Sequence, residues 1–93
     1  MNRKDAIHWL LKVIAFELFE FIRESEPSYE DRWVPAAYIK DTLELNFVAV
    51  PRENVQYGEK GWLFAILARM LEDEGLVEYK KEENRAFYST KKP

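Results

Sequence analysis

The chain has 93 residues, enough for one hydrophobic core, and the sequence predicts a single domain over residues 1–93. Its net charge of −3 argues against a dedicated nucleic-acid binder, which usually carries a basic excess for contacts with the phosphate backbone. The absence of cysteine excludes disulfides, zinc–thiolate sites and thiol nucleophiles. With no visible signal peptide and no apolar run of ~20 residues, the sequence predicts a cytoplasmic protein without a membrane partner.

The first predicted helix begins after Asn2, whose side chain can cap it, and ends near Arg23, shortly before Pro27. A helical period collects apolar residues on one broad face, which we predict to be buried. This predicted core face contains Ile7, Leu10, Leu11, Ile14, Leu18, Phe21 and Ile22.

A second apolar strip lies on roughly the opposite side of this helix. It consists of Trp9, Val13 and Phe16, and we call it the outer strip. A small domain cannot bury both sides of a peripheral helix by itself. Two interpretations stay open: half-exposed side chains without a role, which are common, or an interface with a second subunit or another protein.

A short strand and a second helix are predicted next. Trp33 and Val34 form a β-prone pair, and Pro35 suits the first position of a helix, where its missing N–H costs nothing. That helix has its apolar positions at Ala36, Ala37, Ile39, Leu43 and Phe47. The following residues 48–58 are too many for a tight helix-turn-helix, and they predict either an extra turn or a contact loop.

The third predicted helix carries one stripe at helical spacing, made of Leu63, Ile66, Leu67, Met70 and Leu71. Gly75 is predicted to end this helix in the left-handed conformation, with Leu76 packing back on the last turn. Two β-prone runs then follow at residues 76–80 and 85–89, and they are joined by a polar turn at residues 81–84.

This order of helix, short strand, helix, helix and charged hairpin resembles the winged helix-turn-helix superfamily. The Gly-Leu-Val sequence at residues 75–77 is similar to the junction between its third helix and its wing. The resemblance implies an α+β winged helix with three helices and a small antiparallel sheet. Because winged helices most often bind DNA, it also implies a small DNA-binding protein, with transcription regulation as its role. The alternative is a winged-helix module for protein–protein contacts, as a homodimer or a complex subunit, that does not bind DNA.

Five basic residues are the candidates for contacts with double-stranded DNA. Lys60 and Arg69 belong to the third helix, and Lys80, Lys81 and Arg85 belong to the hairpin. Arginine and lysine contact phosphates and guanine edges, so these residues would supply both positioning and readout. An equally good interpretation of the hairpin is that alternating charges keep an edge strand soluble.

The outward side of the third helix is unusual for a base-reading helix. With Leu63, Leu67 and Met70 facing inward, the opposite stripe consists of small residues and one acid: Gly61, Ala65, Ala68 and Glu72. Trp62 and Phe64 flank this stripe, and together with the outer strip they are the predicted interface residues. Small residues at this spacing suit a partner helix, or a flat fit to a phosphate backbone, better than base readout.

Catalytic chemistry has few candidate residues. His8 is the only histidine, and the sequence offers it no convergent partners for a metal site. The carboxylates of residues 72–74 are adjacent on a helix and point in different directions, so they cannot converge on one ion. The sequence therefore predicts no catalytic residue, no metal, no cofactor and no small-molecule substrate.

Overall fold

In the computed structural model, residues 2–45 and 61–90 of the chain are described. These residues form three α-helices and one three-stranded antiparallel sheet, in the order α1 (Arg3–Ser25), β1 (Val34–Pro35), α2 (Ala36–Thr42), α3 (Trp62–Asp73), β2 (Val77–Glu82) and β3 (Arg85–Thr90). Two short 3-10 helices connect α1 to β1, at Glu26–Ser28 and Glu30–Arg32. The predicted α+β class and the predicted element order are confirmed, and the layout is winged-helix-like.

Local capping chemistry begins α1 and ends α3 as the sequence predicts. The Asn2 Oδ1 accepts a hydrogen bond from the backbone N–H of Asp5 at 2.8 Å. At the other helix, Gly75 has φ of +74° and its N–H bonds the carbonyl of Glu72 at 2.9 Å. The N–H of Leu76 reaches back to the Leu71 carbonyl, also at 2.9 Å. These two bonds define a Schellman stop.

The hairpin has longer strands and a tighter turn than the sequence predicted. Only Glu83 and Asn84 connect β2 to β3, with φ of 49° and 66°. Two consecutive residues in the left-handed conformation form a two-residue hairpin turn, and the twist of this turn matches the twist of the paired strands. The four-residue turn predicted at 81–84 is therefore wrong, because Lys81 and Glu82 belong to β2.

β3 lies at the centre of the sheet, between β1 and β2. The predicted short strand is present, one residue later than expected, with Val34 opposite Tyr88 and Pro35 opposite Phe87. Pro35 precedes α2 as its N-cap and does not occupy the first helical position. Proline is tolerated here because β1 lies at the edge of the sheet.

The core forms where the second half of α1, α3 and one face of the sheet meet. Its most deeply buried members are Ile22, Ile39, Val34, Ala68 and Leu67, the last being 1% exposed as predicted. Phe64 packs edge-on against Tyr88, with ring centroids 5.5 Å apart. This arrangement is a preferred geometry for aromatic pairs in protein interiors.

The predicted core face of α1 is only half correct. Leu18 and Ile22 are buried, and so is Ala15, but Ile7, Leu10 and Ile14 are exposed. The helical period shows which side of a helix is apolar, but it does not show how far the rest of the domain reaches along that helix. The first half of α1 therefore carries apolar residues that the described part of the chain leaves uncovered.

One buried carboxylate, which sequence analysis did not identify, joins three segments. Glu26 is fully buried, and its Oε1 accepts a hydrogen bond from the Arg32 Nη2 at 2.8 Å. Its Oε2 accepts bonds from the backbone N–H of Thr90 at 2.6 Å, from the Thr90 hydroxyl at 2.7 Å and from the Ser89 hydroxyl at 3.2 Å. Burial alone would raise the pKa of Glu26, but the hydrogen bonds from Thr90, Arg32 and Ser89 outweigh it and hold this pKa below its ordinary value.

We predict that Leu67→Ala lowers the free energy of unfolding by about 2–5 kcal/mol, because it removes packed methyl groups and leaves a cavity. Ile66→Ala on the same helix is the matched control, since Ile66 is 47% exposed. The control should cost about 1 kcal/mol or less. Urea denaturation measures both values, and equal costs for the two variants would mean that α3 faces the other way.

We also predict that Glu26→Gln destabilises the protein by about 1–3 kcal/mol at neutral pH. The unfolded-state pKa of a glutamate is about 4.3, and the folded-state pKa of Glu26 is lower. The stabilisation is therefore complete above about pH 5 and is lost as the pH falls through the folded-state pKa. Urea denaturation should show the difference in the free energy of unfolding between variant and wild type narrowing as the pH falls below about 4.3. Glu30→Gln, on an exposed neighbour, should show no gap at either pH.

Candidate interaction surfaces

The basic residue predicted to read DNA from α3 already has an acidic partner. The Arg69 Nε donates a hydrogen bond to the Asp73 Oδ1 at 3.0 Å, one helical turn away. This bond raises the pKa of Arg69 above its ordinary value, and both side chains are exposed. To contact a base edge, the Arg69 guanidinium would first have to break its hydrogen bond to Asp73. Lys60, the other candidate associated with this helix, lies outside the described residues.

The three basic residues of the hairpin do not form one cluster. Side chains alternate along a strand, so Lys80 and Lys81 point to opposite faces of the sheet. The Lys80 Nζ lies 3.2 Å from the Glu82 Oε2 and 4.7 Å from the centroid of the Trp33 ring. Its charge is therefore partly neutralised and partly held over an aromatic face. The predicted basic cluster at the hairpin tip is divided between two faces.

Arg85 and Lys81 remain the more available cations of the hairpin. Both are exposed, and neither forms an ion pair within residues 2–45 and 61–90. The Arg85 guanidinium carbon lies 5.6 Å from the centroid of the Phe87 ring, a cation–π distance that leaves its N–H groups able to donate elsewhere. Two cations on opposite faces are a small electrostatic surface for a duplex.

The orientation of α3 differs from the one the sequence predicted. Phe64 is 4% exposed and Ala68 is fully buried, so neither belongs to an outward stripe, and Gly61 is buried too. The assignment of Phe64 to an interface is therefore wrong. The exposed side of the helix carries Trp62, Ala65, Ile66, Arg69 and Asp73.

A sequence signal for this orientation exists. The residues Phe64, Leu67, Ala68 and Leu71 recur at three- and four-residue spacing and form an apolar stripe of their own. Phe64 distinguishes the two stripes, since its ring packs against Tyr88 of β3, whereas Ile66 on the other stripe is exposed. Which stripe is buried depends on the sheet, and the helix sequence alone does not contain that information.

The first half of α1 carries most of the exposed large apolar side chains in the described part of the chain. Six large side chains are between 39% and 58% exposed there, and we call them the α1 apolar surface: Ile7, Trp9, Leu10, Val13, Ile14 and Phe16. All three residues of the predicted outer strip are among them. Monomeric proteins rarely expose contiguous apolar patches beyond a few hundred Å², and larger patches mark sites of contact with proteins or ligands.

Two grooves run along the two sides of α1. The outer groove has a volume of about 320 Å³ and joins the outer strip to the end of α3, with Ala15, Met70, Leu71 and Leu76 in its wall and Lys12 and Glu74 beside them. The second groove has a volume of about 480 Å³. Its wall contains Ile14, Leu18, Phe21, Leu43, Leu45 and Leu67, together with Glu17, Glu20 and Glu24. Both grooves are mainly apolar and border the exposed helix, as surfaces that receive a helix or a large side chain do.

Side chains suited to metal binding or catalysis do not converge in the described residues. No group of three or more His, Cys, Asp or Glu side chains there could hold a metal ion. His8 is an exposed residue of α1. Among the helices at residues 3–42 and 62–73, none combines the length and the apolarity needed to cross a membrane. The loop predicted at residues 48–58 lies outside the described residues.

Comparison of the chain with protein-family models, with curated proteins and with solved structures finds no match. The surfaces themselves are therefore the basis for a functional proposal. They comprise a half-exposed apolar helix flanked by two grooves, and a hairpin whose cations are divided between two faces.

Proposed function

We propose that this chain is a winged-helix protein-interaction domain that assembles through the α1 apolar surface. The exposure of six large apolar side chains on about three turns of one helix carries the proposal. Such a surface is costly to leave in water, and its cost falls when another protein covers it. Neither a catalytic residue nor a cofactor nor a small-molecule substrate is needed for this function.

The magnitude of the hydrophobic term supports association. Fully burying a side chain of this kind contributes roughly 1.5–3 kcal/mol relative to leaving it exposed. About half of each of the six side chains is still exposed, so covering them offers several kcal/mol. This free energy offsets part of the cost of the translational and rotational freedom that two molecules lose when they associate.

The exposed side of α3 supports the same proposal. A helix that reads bases presents Arg, Lys, Asn, Gln, Ser or Thr to the groove. Here the exposed side carries Trp62, Ala65 and Ile66, and Arg69 is paired with Asp73. These residues suit contacts with protein better than contacts with base edges.

We expect a photoreactive benzoyl-phenylalanine at position 16 to form protein adducts in cells that produce the chain. The same replacement at position 79 is the matched control, because Phe16 and Tyr79 are 50% and 44% exposed and lie on different elements, α1 and β2. A Val13→Glu change should abolish the adducts at position 16, since it places a charge in the apolar contact. Electrophoresis and mass spectrometry read the result. Absence of protein adducts at position 16 would contradict the proposal.

A second candidate function is contact between the hairpin and the phosphate backbone of double-stranded DNA. The exposure of Lys81 and Arg85 beside the turn favours it, together with the resemblance to winged helices, for which a role in transcription regulation is the usual one. Such contacts would be insensitive to sequence, because phosphates carry no base information. The net charge of −3 weighs against high affinity.

If the hairpin contacts DNA, the double variant Lys81→Ala/Arg85→Ala should weaken binding to any duplex. The slope of log K against log salt should flatten by up to ~0.9 for each lost phosphate contact. The matched control is Arg3→Ala/Lys4→Ala, which removes the same charge from α1 and should change the slope less. Fluorescence titration at two salt concentrations measures both. No duplex binding by the native chain at low salt would eliminate this candidate and leave the interaction domain.

We also infer a cytoplasmic location. The lack of cysteine throughout the 93 residues supports it, since disulfide-rich small domains belong to oxidising compartments. Fractionation of the producing cells, with the chain detected by an antibody, would test this location directly.

A further inference from the structure

We infer that a cleft on the outer face of the sheet binds a lysine or arginine side chain of a partner polypeptide, and that Lys80 occupies this site in the unbound chain. The cleft has a volume of about 380 Å³ and is lined in part by Phe87. Because side chains alternate along a strand, Phe87 lies on the side of the sheet opposite the buried Tyr88. The inference goes beyond the proposed function, since no residue of the α1 apolar surface lines this cleft.

Three aromatic side chains line the cleft. Phe87 belongs to the central strand, in one row across the sheet with Pro35 on one side and Lys80 on the other. Trp33 has an extended backbone and lies two residues before Pro35, so both side chains are on the same face. Tyr29 completes the set from the segment before β1. All three aromatic residues are partly buried, and the fold therefore holds their rings in place beside the cleft.

The contacts of Lys80 show that these rings accept a cation. Its Nζ lies 4.7 Å from the centroid of the Trp33 ring and 5.5 Å from that of the Phe87 ring, both within the ~6 Å of a cation–π contact. Since β3 separates β2 from β1, the Lys80 side chain crosses the central strand to reach Trp33. An arginine from a partner would compete well for the same rings, because a planar guanidinium stacks on an aromatic face.

The charges around the cleft favour a cationic ligand. Glu30, Asp31 and Glu82 line it together with Lys80, which gives three carboxylates against one ammonium and a balance of −2. The Lys80 Nζ pairs with Glu82, whereas Glu30 and Asp31 are exposed and form no ion pair within the described segments of the chain. A guanidinium stacked on Trp33 would find in these two carboxylates the acceptors for charge-assisted hydrogen bonds.

The same carboxylates disfavour nucleic acid as the occupant. Aromatic rings beside cations also stack the bases of single strands, so the rings alone fit both classes of ligand. A phosphate backbone, however, would meet like charges from the acidic residues that line the cleft, and such contacts are unfavourable. A basic polypeptide is the ligand that fits both the rings and the charge.

An NMR titration with two matched peptides tests the inference. One peptide is acetyl-Gly-Arg-Gly-amide, and the other replaces its arginine by citrulline, which has a similar shape and no charge. The indole N–H of Trp33, assigned through Trp33→Phe, is the reporter. We expect the arginine peptide to shift this resonance saturably and the citrulline peptide to leave it unchanged. The indole of Trp9, which is 58% exposed on α1, should not shift with either peptide.

Removal of Lys80 gives the sharpest expectation. Lys80→Ala should tighten binding of the arginine peptide about two- to fivefold, because the peptide no longer competes with a cation–π contact inside the chain. Lys81→Ala is the matched control, since it removes the same charge from the opposite face of the sheet and should change the affinity less. Glu30→Gln combined with Asp31→Asn should weaken binding, because the guanidinium loses both charged acceptors.

Three outcomes would overturn the inference. The first is an equal response to both peptides or to neither, since a positive charge would then not be recognised. The second is weaker peptide binding by Lys80→Ala than by Lys81→Ala, since Lys80 would then assist the ligand. The third is a larger Trp33 shift with a single-stranded oligothymidylate, weakened in Lys80→Ala, which would assign this face to nucleic acid. Circular dichroism establishes that each variant is folded. Adducts at position 16 report separately on the α1 apolar surface, so failure here leaves the proposed function standing.

Discussion

The position of the sheet on α1 depends on the buried carboxylate of Glu26. A buried charge without partners is strongly unfavourable, and this one is compensated only when three separate segments meet at the end of α1. Arg32 supplies the countercharge, while Ser89 and Thr90 supply hydrogen bonds from the last residues of β3. Asp31 and Arg32 adopt φ of 56° and 65° in the segment that brings this guanidinium into place. Such backbone conformations cost free energy, and the ion pair offsets that cost.

This anchor divides α1 into two halves with different roles. Beyond Ala15 the helix is held by the buried side chains of Leu18 and Ile22, and the residue after it, Glu26, is buried against Arg32 and the end of β3. Before Ala15 the same helix continues as regular structure with both of its apolar sides exposed. Its regularity there follows from the continuous backbone hydrogen bonds and the Asn2 cap. A surface that is already ordered loses little entropy on binding, which favours association.

The sequence was sufficient where the determining chemistry is local. The Asn2 cap, the Gly75 stop, the order of elements and the burial of Leu67 follow from contacts within a few residues or from a strong helical period. The sequence was insufficient where a segment distant in the chain determines the local structure. The orientation of α3 depends on Tyr88, and two of the partners of Glu26, Ser89 and Thr90, lie more than sixty residues later in the chain. A glutamate in a polar loop gives no local sign that it will be buried.

The same distinction applies to the candidate surfaces. The outer strip was predictable because three large apolar residues stand opposite the buried side of one helix, a purely local pattern. The division of the hairpin cations between two faces was not predictable. It requires β2 to extend to Glu82, which in turn requires a turn of only two residues. With a four-residue turn, Lys81 would have left the strand and could have joined Lys80. Turn length therefore decides how much positive charge one face of the hairpin presents.

The two candidate functions are physically compatible. A single copy offers only Lys81 and Arg85 as cations without ion pairs in the described hairpin, and so few phosphate contacts give weak binding at physiological salt. A symmetric pair would carry two hairpins on one rigid body, and linking two weak sites raises the overall affinity without any new contact. The effect depends on whether both hairpins reach one duplex at the same time. If the proposed assembly through α1 occurs, it would therefore strengthen any contact with DNA.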